Sequence, residues 1–216
     1  MNAHKLGLNL ISADVNHVSL ERRTTELVIQ GEISLKNKVE SEISTGLDFL
    51  DHMLDQVRFA GCFNLRLKMG STKKKLSHTI CEDSGIMLGN LVLNLFKQRK
   101  DKVGVNGYGF SVRVMDESRS RVCLSVEGRS NSFIELPKCL EDADHVEDVL
   151  NRDMVAFFEG FAQGCRATVH VQIERASDPH HAWEAACRAL GDCIRETLRE
   201  NSWKIGQIGG IKGTLD

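Results

Sequence analysis

The chain has 216 residues, a formal net charge of −2 and 41% hydrophobic residues, an ordinary globular composition. A charge so close to zero argues against nucleic acid or an acidic membrane surface as a partner. No run of about 18 apolar residues could span a bilayer, and residues 1–11 lack the apolar stretch of a signal peptide. The seven cysteines form no Cys-x-x-Cys pair, so we expect reduced thiols in the cytoplasm.

In the first half of the chain, period-two alternation of apolar residues predicts strands at 15–20, 26–35 and 63–69. Apolar stripes at helical spacing predict helices at 49–59 and 79–96. Residues 70–76 form a polar loop with three consecutive lysines, most simply a solvated surface. Residues 97–105 are predicted to be a basic connection that contributes nothing to the core.

The second half repeats this pattern and contains more predicted strands. Strands are predicted at 108–115, 121–127, 132–136 and 167–173. Helices are predicted at 149–164 and 179–198. The acidic segment 138–148 is predicted to be a loop, and the glycine-rich tail 206–213 to be flexible.

This order of elements predicts an α+β fold of two duplicated half-domains, residues 1–105 and 106–216, packed together as one compact unit. Each half is expected to be a mostly antiparallel sheet with two helices on one face.

The segment Asp178–Glu184 places two adjacent histidines and a glutamate at the start of the last predicted helix. Pro179 suits a first helical turn, and Asp178 or Ser177 could cap it. His180 and Glu184 are four residues apart and share a helix face, and imidazole with carboxylate suits manganese, iron or zinc. His181 lies about 100° round the helix, so it would reach a different metal or a different subunit. The simpler interpretation is an N-cap followed by surface histidines.

The same pattern occurs earlier, as His78 and Glu82. The two copies are 102 residues apart, and the same offset pairs Asp51 with Asp153 and Gly89 with Gly191. A constant offset indicates an internal duplication. Where the second copy has His181, the first has Thr79.

Four further residues are candidate metal ligands or anion-binding residues, with a simpler structural explanation as the alternative. His52 lies within an apolar helical stripe, where a histidine is more often structural than a ligand. His170 alternates with valines and so points to the opposite face of its strand. Arg129, after a glycine turn, could hold a phosphate or form a surface ion pair. Lys212 and the glycine amides of the tail could bind an anion or form a frayed terminus.

Taken together, these segments resemble the imidazoleglycerol-phosphate dehydratase family of histidine biosynthesis over about residues 13–215. The resemblance is carried by Arg22–Glu26, Thr45–Leu54, His78–Gly89, Met115–Glu117, Glu127–Arg129, the His170 strand, His180–Glu184 and Lys212–Gly213. It implies a metal-dependent lyase that removes water from the glycerol side chain of imidazoleglycerol phosphate, built from two duplicated α+β halves.

The resemblance also implies two manganese ions per site, with ligands shared between neighbouring subunits of a 24-subunit homo-oligomer. The implied metal ligands in this sequence are His52, His78, Glu82, His170, His180, His181 and Glu184. Glu26 and Glu184 take the catalytic positions, and Arg129 and Lys212 the phosphate-binding positions. Two metals beside the imidazole would act as Lewis acids, and Glu26 could move protons.

The chain departs from the family pattern at both ends of the implied site. Thr79 replaces a ligand histidine, and Leu76 and Ser77 replace two aspartates. A hydroxyl is a poor ligand beside imidazole, so we expect one metal position to be weakened. Gly107 replaces an arginine and Gly210 a serine at the phosphate end. Loss of one arginine removes charge-assisted hydrogen bonds that are each worth about 1.5–3 kcal/mol.

Three hypotheses therefore remain. The first is a working manganese-dependent dehydratase. The second is a divergent, catalytically impaired metal-binding oligomer of the same fold. The third is a lyase or hydrolase for a related azole or a smaller, phosphate-free substrate. Whether water or another side chain, such as Cys81, replaces the missing ligand is left open by the sequence.

Overall fold

The computed structural model describes residues 5–70, 76–208, 210–211 and 213–215. The first half contains a five-stranded sheet in the order β1-β2-β3-β5-β4. Its strands are β1 (Gly7–Asp14), β2 (His17–Arg23), β3 (Val28–Ser34), β4 (Glu42–Ser44) and β5 (Asn64–Met69). Its helices are α1 (Asp48–Gly61) and α2 (Ser77–Lys100).

The second half contains a four-stranded sheet in the order β6-β7-β11-β8. Its strands are β6 (Tyr108–Met115), β7 (Ser118–Ser125), β8 (Asn131–Glu135) and β11 (Thr168–Arg175). A short helix α3 (Lys138–Asp142) and a two-stranded ribbon of β9 (His145–Val146) and β10 (Val149–Leu150) follow β8. The helices α4 (Asn151–Cys165) and α5 (Pro179–Leu198) and a 3-10 turn (Ser202–Lys204) complete the half.

Both main sheets are antiparallel except at one edge, where β4 pairs in parallel with β5 and β8 with β11. The four long helices form the layer between the sheets, with α1 packed on α5 and α2 on α4. The predicted α+β fold, with helices on one face of each sheet, is therefore confirmed. Over the described part of the chain, no helix has the length and apolarity needed to cross a membrane.

Glycines allow both helix pairs to approach very closely. A Cβ atom at Gly85 of α2 would lie 2.0 Å from the Phe157 carbonyl oxygen of α4. A Cβ at Gly191 of α5 would lie 2.1 Å from the Val57 carbonyl oxygen of α1. Any larger residue would force these helices apart, so the glycines fix the distance between the faces that carry the candidate site.

The 102-residue offset relates the two helix pairs, since α1 corresponds to α4 and α2 to α5. The edge strands β4 and β8 follow a different offset. Ile43 pairs with Leu67 and Ser132 with Val169, so these edge strands are 89 residues apart, whereas Leu67 and Val169 in β5 and β11 keep the offset of 102. The difference corresponds to α3 and the β9–β10 ribbon, which lie between β8 and α4 and have no counterpart in the first half.

Two predicted segments are wrong, and strand β1 is missed. Strand β1 was not predicted, because Leu8 and Leu10 alternate on an edge strand and remain exposed. Segment 138–148 is not a simple loop, since it contains α3 and β9. Residues 97–105 do contribute to the core, because α2 continues to Lys100 and buries Arg99, and Val105 beyond the helix is buried too; the two residues are 5% and 2% exposed.

Candidate metal centre and its surroundings

Three predicted ligands meet where α1 packs against the start of α5. The Nε2 atom of His52 and the Nε2 atom of His180 each lie 3.4 Å from Oε2 of Glu184. The two imidazole rings have centroids 5.4 Å apart. Ligand atoms of all three side chains lie within 4.8 Å of one another. We refer to His52, His180 and Glu184 as the central cluster.

The first turn of α5 holds the cluster in place. Asp178 caps the helix, its carboxylate accepting a hydrogen bond of 2.8 Å from the backbone N–H of His180, and Pro179 occupies the first turn. The Phe49 ring meets the His180 ring edge-on, with centroids 5.3 Å apart. His52 follows Phe49 by three residues and therefore faces α5 from the same side of α1.

Glu184 is 3% exposed and contacts Arg188 as well as the two histidines. The Arg188 guanidinium, one turn along α5, donates to Oε1 of Glu184 and, at 3.0 Å, to the side-chain oxygen of Gln56. Burial of a carboxylate requires such compensation. Arg188 thus occupies one oxygen of Glu184 and leaves Oε2 directed toward the two histidines.

His181 faces away from the central cluster, as the helical spacing predicted. Its Nδ1 atom lies 2.9 Å from Oε2 of Glu117, in the β6–β7 turn. This hydrogen bond raises the pKa of His181 and holds the pKa of Glu117 well below its usual range. Glu117 also accepts hydrogen bonds from the backbone N–H groups of Ser177 and Asp178. A carboxylate on one imidazole nitrogen leaves Nε2 available as a ligand atom.

The geometry of the central cluster fits one transition-metal ion. Ligand atoms bound to one ion at about 2.0–2.2 Å lie about 3 Å apart when they are at right angles. The observed separations of 3.4 Å to Glu184 are close to this value. Two imidazoles and one carboxylate form a ligand set suited to manganese, iron or zinc.

In the first half, the position that the duplication makes equivalent to the central cluster is formed by different residues. His78 lies at the start of α2 with Nδ1 3.2 Å from Oδ1 of the fully buried Asp153, whose Oδ2 accepts a hydrogen bond of 2.5 Å from Ser77. Glu82 follows one turn later. Met154 stands where the duplication would put a partner for His52, since 154 is 102 residues beyond 52.

Two neighbours of His78 bear on the missing ligand. Thr79, the residue after it, offers a hydroxyl where His181 offers an imidazole. Cys81 is fully buried in the core, and burial, with the nearby charge of Asp153, raises the pKa of its thiol far above the usual range. Cys81 is therefore a poor candidate for the missing ligand.

Glu26 lies in the turn between β2 and β3, where it is exposed. Its backbone N–H donates to the Thr24 hydroxyl at 3.1 Å. Burial is the largest cause of the raised pKa of the Asp83 carboxyl in α2, and the nearby Arg22 acts against it. The charge of Glu26 also raises this pKa, so Glu26 lies close to Asp83. Within one chain, Glu26 therefore lies on the His78 side and not beside the central cluster.

The remaining predicted residues lie elsewhere. His170 projects from the outer face of the second sheet, opposite Val169 and Val171, and stacks on Phe133 with centroids 4.6 Å apart. Arg129 is exposed after the end of β7. Lys212 and the lysines of 73–75 lie outside the described residues.

The sequence missed three side chains that shape the site, namely Arg188, Glu117 and Asp153. Arg188 had a signal, because a glutamate followed four residues later by an arginine commonly forms a pair on a helix. Glu117 and Asp153 act across long sequence separations, and only the packing of elements brings them to His181 and His78.

This arrangement defines a class, an α+β protein of two similar halves with a histidine–carboxylate cluster suited to a divalent metal. A family model described as imidazoleglycerol-phosphate dehydratase matches residues 45–194. The imidazoleglycerol-phosphate dehydratase of Methylococcus capsulatus is 32% identical over 198 residues, 91% of this chain and 96% of the relative. That of Syntrophobacter fumaroxidans is 34% identical over 197 residues, again 91% and 96%.

Solved structures agree with these relatives. The dehydratase from Staphylococcus aureus superposes with a TM-score of 0.73 at 25% identity, covering 86% of this chain and 99% of its own. The enzyme from Pyrococcus furiosus, solved in complex with (S)-C348, gives a TM-score of 0.72 at 26% identity, covering 89% and 98%. This chain belongs to the imidazoleglycerol-phosphate dehydratase family, a family of histidine-biosynthesis lyases.

Proposed function

We propose that this chain is a manganese-dependent hydro-lyase that converts imidazoleglycerol phosphate to imidazole acetol phosphate in the cytoplasm. The observation that carries the proposal is the central cluster. The Nε2 atoms of His52 and His180 each lie 3.4 Å from Oε2 of Glu184. A divalent cation held there would supply Lewis acidity toward the imidazole ring of the substrate.

The reaction removes a proton from one glycerol carbon and a hydroxyl group from its neighbour, so both leave as one molecule of water. The chain supplies groups that can hold and move these protons. Glu26 is an exposed carboxylate in reach of solvent or another chain, and it is our candidate acid–base residue. Glu184, fixed by Arg188, serves the cluster itself and orients its two histidines.

We further propose that the complete site forms between copies of the chain. His170 is on the outer sheet face, whereas the central cluster is on the helix side of the same sheet. Arg129 follows the end of β7, whereas His181 contacts Glu117 just before β7 begins. Eight strand residues separate these two positions by about 25 Å, so one substrate molecule cannot touch both in the same chain.

The outer face of the second sheet is our candidate contact between subunits. The apolar side chains that it exposes are Tyr108, Phe110, Val112, Val114 and Phe133, each 44–57% exposed. Four of these side chains form a row on β6, and Phe133 lies across the sheet on β8. Exposed apolar rows of this kind are typical of an oligomer interface. His170 lies among them, so docking of a second copy there would bring His170 close to groups of that copy.

A second candidate function is that of a metal-binding oligomer with impaired catalysis. Thr79 favours it, because it stands where the second half has His181 and where the family pattern has a ligand histidine. Under this proposal the chain would bind metal at the central cluster and form its oligomer while producing little or no imidazole acetol phosphate.

Product formation from imidazoleglycerol phosphate by the manganese-loaded protein tests the two candidates. We expect turnover in the wild type and a loss of at least about a hundredfold in Glu184→Gln. His17→Ala is the matched control, since His17 pairs with Glu32 on the first sheet, away from the cluster. No product from a folded, manganese-loaded wild type would reject the dehydratase and favour the impaired oligomer.

A further inference from the structure

The turn that joins β9 to β10 contacts both helices of the central cluster. In this two-residue turn, Oε1 of Glu147 lies 3.3 Å from Nδ1 of His180 at the start of α5. The carboxylate of Asp148 accepts hydrogen bonds from the backbone N–H groups of Asp48, at 2.7 Å, and Phe49, at 3.0 Å, at the start of α1. Because α1 and α5 carry the three residues of the cluster, one turn contacts the whole of its support.

The β9–β10 ribbon is held firmly in place. Val146 and Val149 flank the turn, pair with each other across the ribbon and are 4% and 0% exposed. The backbone N–H of Asn151 donates to the Asp144 carbonyl at 3.0 Å and closes the base of the ribbon. The position of Glu147 is therefore fixed by buried contacts on its flanks, although its own side chain is 62% exposed.

The backbone of Glu147 is in a conformation that suits glycine. Its φ is +50°, in the left-handed region that glycine adopts freely and other residues rarely. Two-residue hairpin turns favour glycine, asparagine or aspartate at such positions. Glutamate is therefore a poor residue for the turn itself, and what it adds is a carboxylate that reaches His180. Residues held in such conformations are concentrated at functional sites.

The neighbouring histidine has the same arrangement. Nδ1 of His181 lies 2.9 Å from Oε2 of Glu117 in the β6–β7 turn, and that turn also contains a residue of positive φ, Asp116 at +46°. Each of the two adjacent histidines therefore has a carboxylate from a hairpin turn on its Nδ1 atom. Metal-binding histidines usually have such a carboxylate on the ring nitrogen that does not bind the metal.

Two carboxylates compete for the ring proton of His180. A neutral imidazole carries one proton, on Nδ1 or on Nε2, and hydrogen bonds decide between the two forms. Glu147 lies 3.3 Å from Nδ1, and Glu184 lies 3.4 Å from Nε2. A proton on Nδ1 leaves the lone pair of Nε2 free for a metal, whereas a proton on Nε2 blocks it. Glu147 therefore favours the form of His180 that can bind a cation at the cluster.

We propose that Glu147 is a positioning residue of the central cluster, which keeps the proton of His180 on Nδ1 and so prepares Nε2 for a divalent cation. Asp148 supports this role, because it fixes the same turn to α1. The inference rests on the proposed function, in which the cluster is the metal site. It extends that function by giving a role to the ribbon that the first half lacks.

Glu147→Gly separates the role of the carboxylate from that of the turn. The change removes the carboxylate and places glycine where φ is positive. We expect the Kd of Mn²⁺, measured by calorimetry, to rise about tenfold, as for loss of an outer partner of a metal-bound histidine. The urea denaturation midpoint of the metal-free protein should stay the same or rise. Glu147→Gln should bind Mn²⁺ with an intermediate Kd, because an amide oxygen is a weaker acceptor than a carboxylate.

Two variants serve as matched controls. Arg166→Gly changes another residue of positive φ, +51°, at the end of α4. Glu141→Gln removes another exposed carboxylate from the acidic segment that precedes the turn. Both should keep the Kd of Mn²⁺ within about twofold of the wild type, since neither alters a contact of a metal-bound histidine. They control for the backbone change and for the loss of one negative charge.

Nuclear magnetic resonance of the metal-free protein reports the position of the proton directly. At about pH 8.5, where imidazole side chains are ordinarily neutral, ¹H–¹⁵N spectra of the ring nitrogens distinguish the two forms. We expect the proton of His180 mainly on Nδ1 in the wild type and mainly on Nε2 in Glu147→Gly, where the contact with Glu184 remains. The same form in both proteins would overturn the inference.

The metal titrations separate failure of the inference from failure of the proposed function. If Glu147→Gly binds Mn²⁺ as tightly as the wild type while His52→Ala binds it weakly, the cluster is the metal site and the inference is overturned. A lower urea midpoint in Glu147→Gly together with weaker binding would assign Glu147 to the stability of the turn and would overturn it too. If the wild type binds no Mn²⁺, or His52→Ala binds it equally well, the proposed function fails along with the inference.

Discussion

The Nε2 atom of His52 lies 3.4 Å from Oε2 of Glu184, although the two residues are 132 positions apart in the chain. This contact joins the first half-domain to the second at the start of α5. It exists because α1 and α5 approach closely at Gly61 and Gly191. A third ligand, His180, completes the cluster from the same helix as Glu184.

Metal binding should depend on this contact. In His52→Ala, we expect the affinity for Mn²⁺ to fall at least about tenfold, because one of three convergent ligands is lost. Isothermal titration or metal analysis after dialysis would measure the change. The control is His17→Ala, and an equal effect in both variants would mean that the central cluster is not the metal site.

The first half-domain offers a gain-of-function test. Thr79→His restores the imidazole that the duplicated half carries as His181. We expect the variant to bind more Mn²⁺ per chain than the wild type, because imidazole is a far better ligand than a hydroxyl. Metal content by mass spectrometry would report the change, with Thr79→Ala as the control. Unchanged content in Thr79→His would count against a weakened first position.

The His181–Glu117 pair should give metal-free protein a pH-dependent stability. The hydrogen bond raises the pKa of His181, so its contribution is present below the ordinary histidine pKa and is lost as pH rises through the shifted value. It lowers the pKa of Glu117, whose contribution is present above the ordinary glutamate pKa and is lost as pH falls. The pair therefore stabilises most between about pH 4.5 and 6.5.

Urea denaturation in the presence of a chelator measures this effect. The difference in midpoint between wild type and Glu117→Gln should be largest near pH 5.5 and smaller at pH 8.5. Glu135→Gln is a matched control, since Glu135 bonds to Gln172 on the outer face of the sheet. A difference that does not change with pH would show that the pair does not titrate as proposed.

Close helix packing should make Gly85 intolerant of any side chain. Gly85→Ala would put a Cβ atom 2.0 Å from the Phe157 carbonyl oxygen, and we expect a loss of about 3 kcal/mol in the free energy of unfolding. Gln163→Ala, at an exposed position of α4, is the control and should change stability by about 0.5 kcal/mol or less. Comparable denaturation midpoints for both variants would contradict the packing described here.

The fold was largely predictable from sequence, because the stripes of α1 and α5 and the alternation of β5, β7 and β11 are set by burial on one face. Edge strand β1 was not, since Leu8 and Leu10 are exposed and carry no burial signal. Segment 138–148 is a local insertion, whose short elements α3 and β9 are too brief to give a period.

The sequence predicts individual residues of the site but not how they are arranged in space. His180 and Glu184 share a helix face by spacing alone, whereas their contact with His52 depends on how α1 docks. Likewise Arg113 reaches Asp192 only because β6 packs on α5. The predicted roles of His78, Glu82 and His170 remain predictions, because among the described residues of one chain they do not form part of a metal-ligand cluster.

The most direct measurement is a titration of metal-stripped protein with Mn²⁺, following imidazole acetol phosphate formation and bound metal together. We predict no turnover without metal and a rise in turnover that parallels occupancy, with both responses lost in His52→Ala. Full metal occupancy of a folded protein with no product would contradict the proposed dehydratase, as would equal turnover in the stripped and the loaded protein.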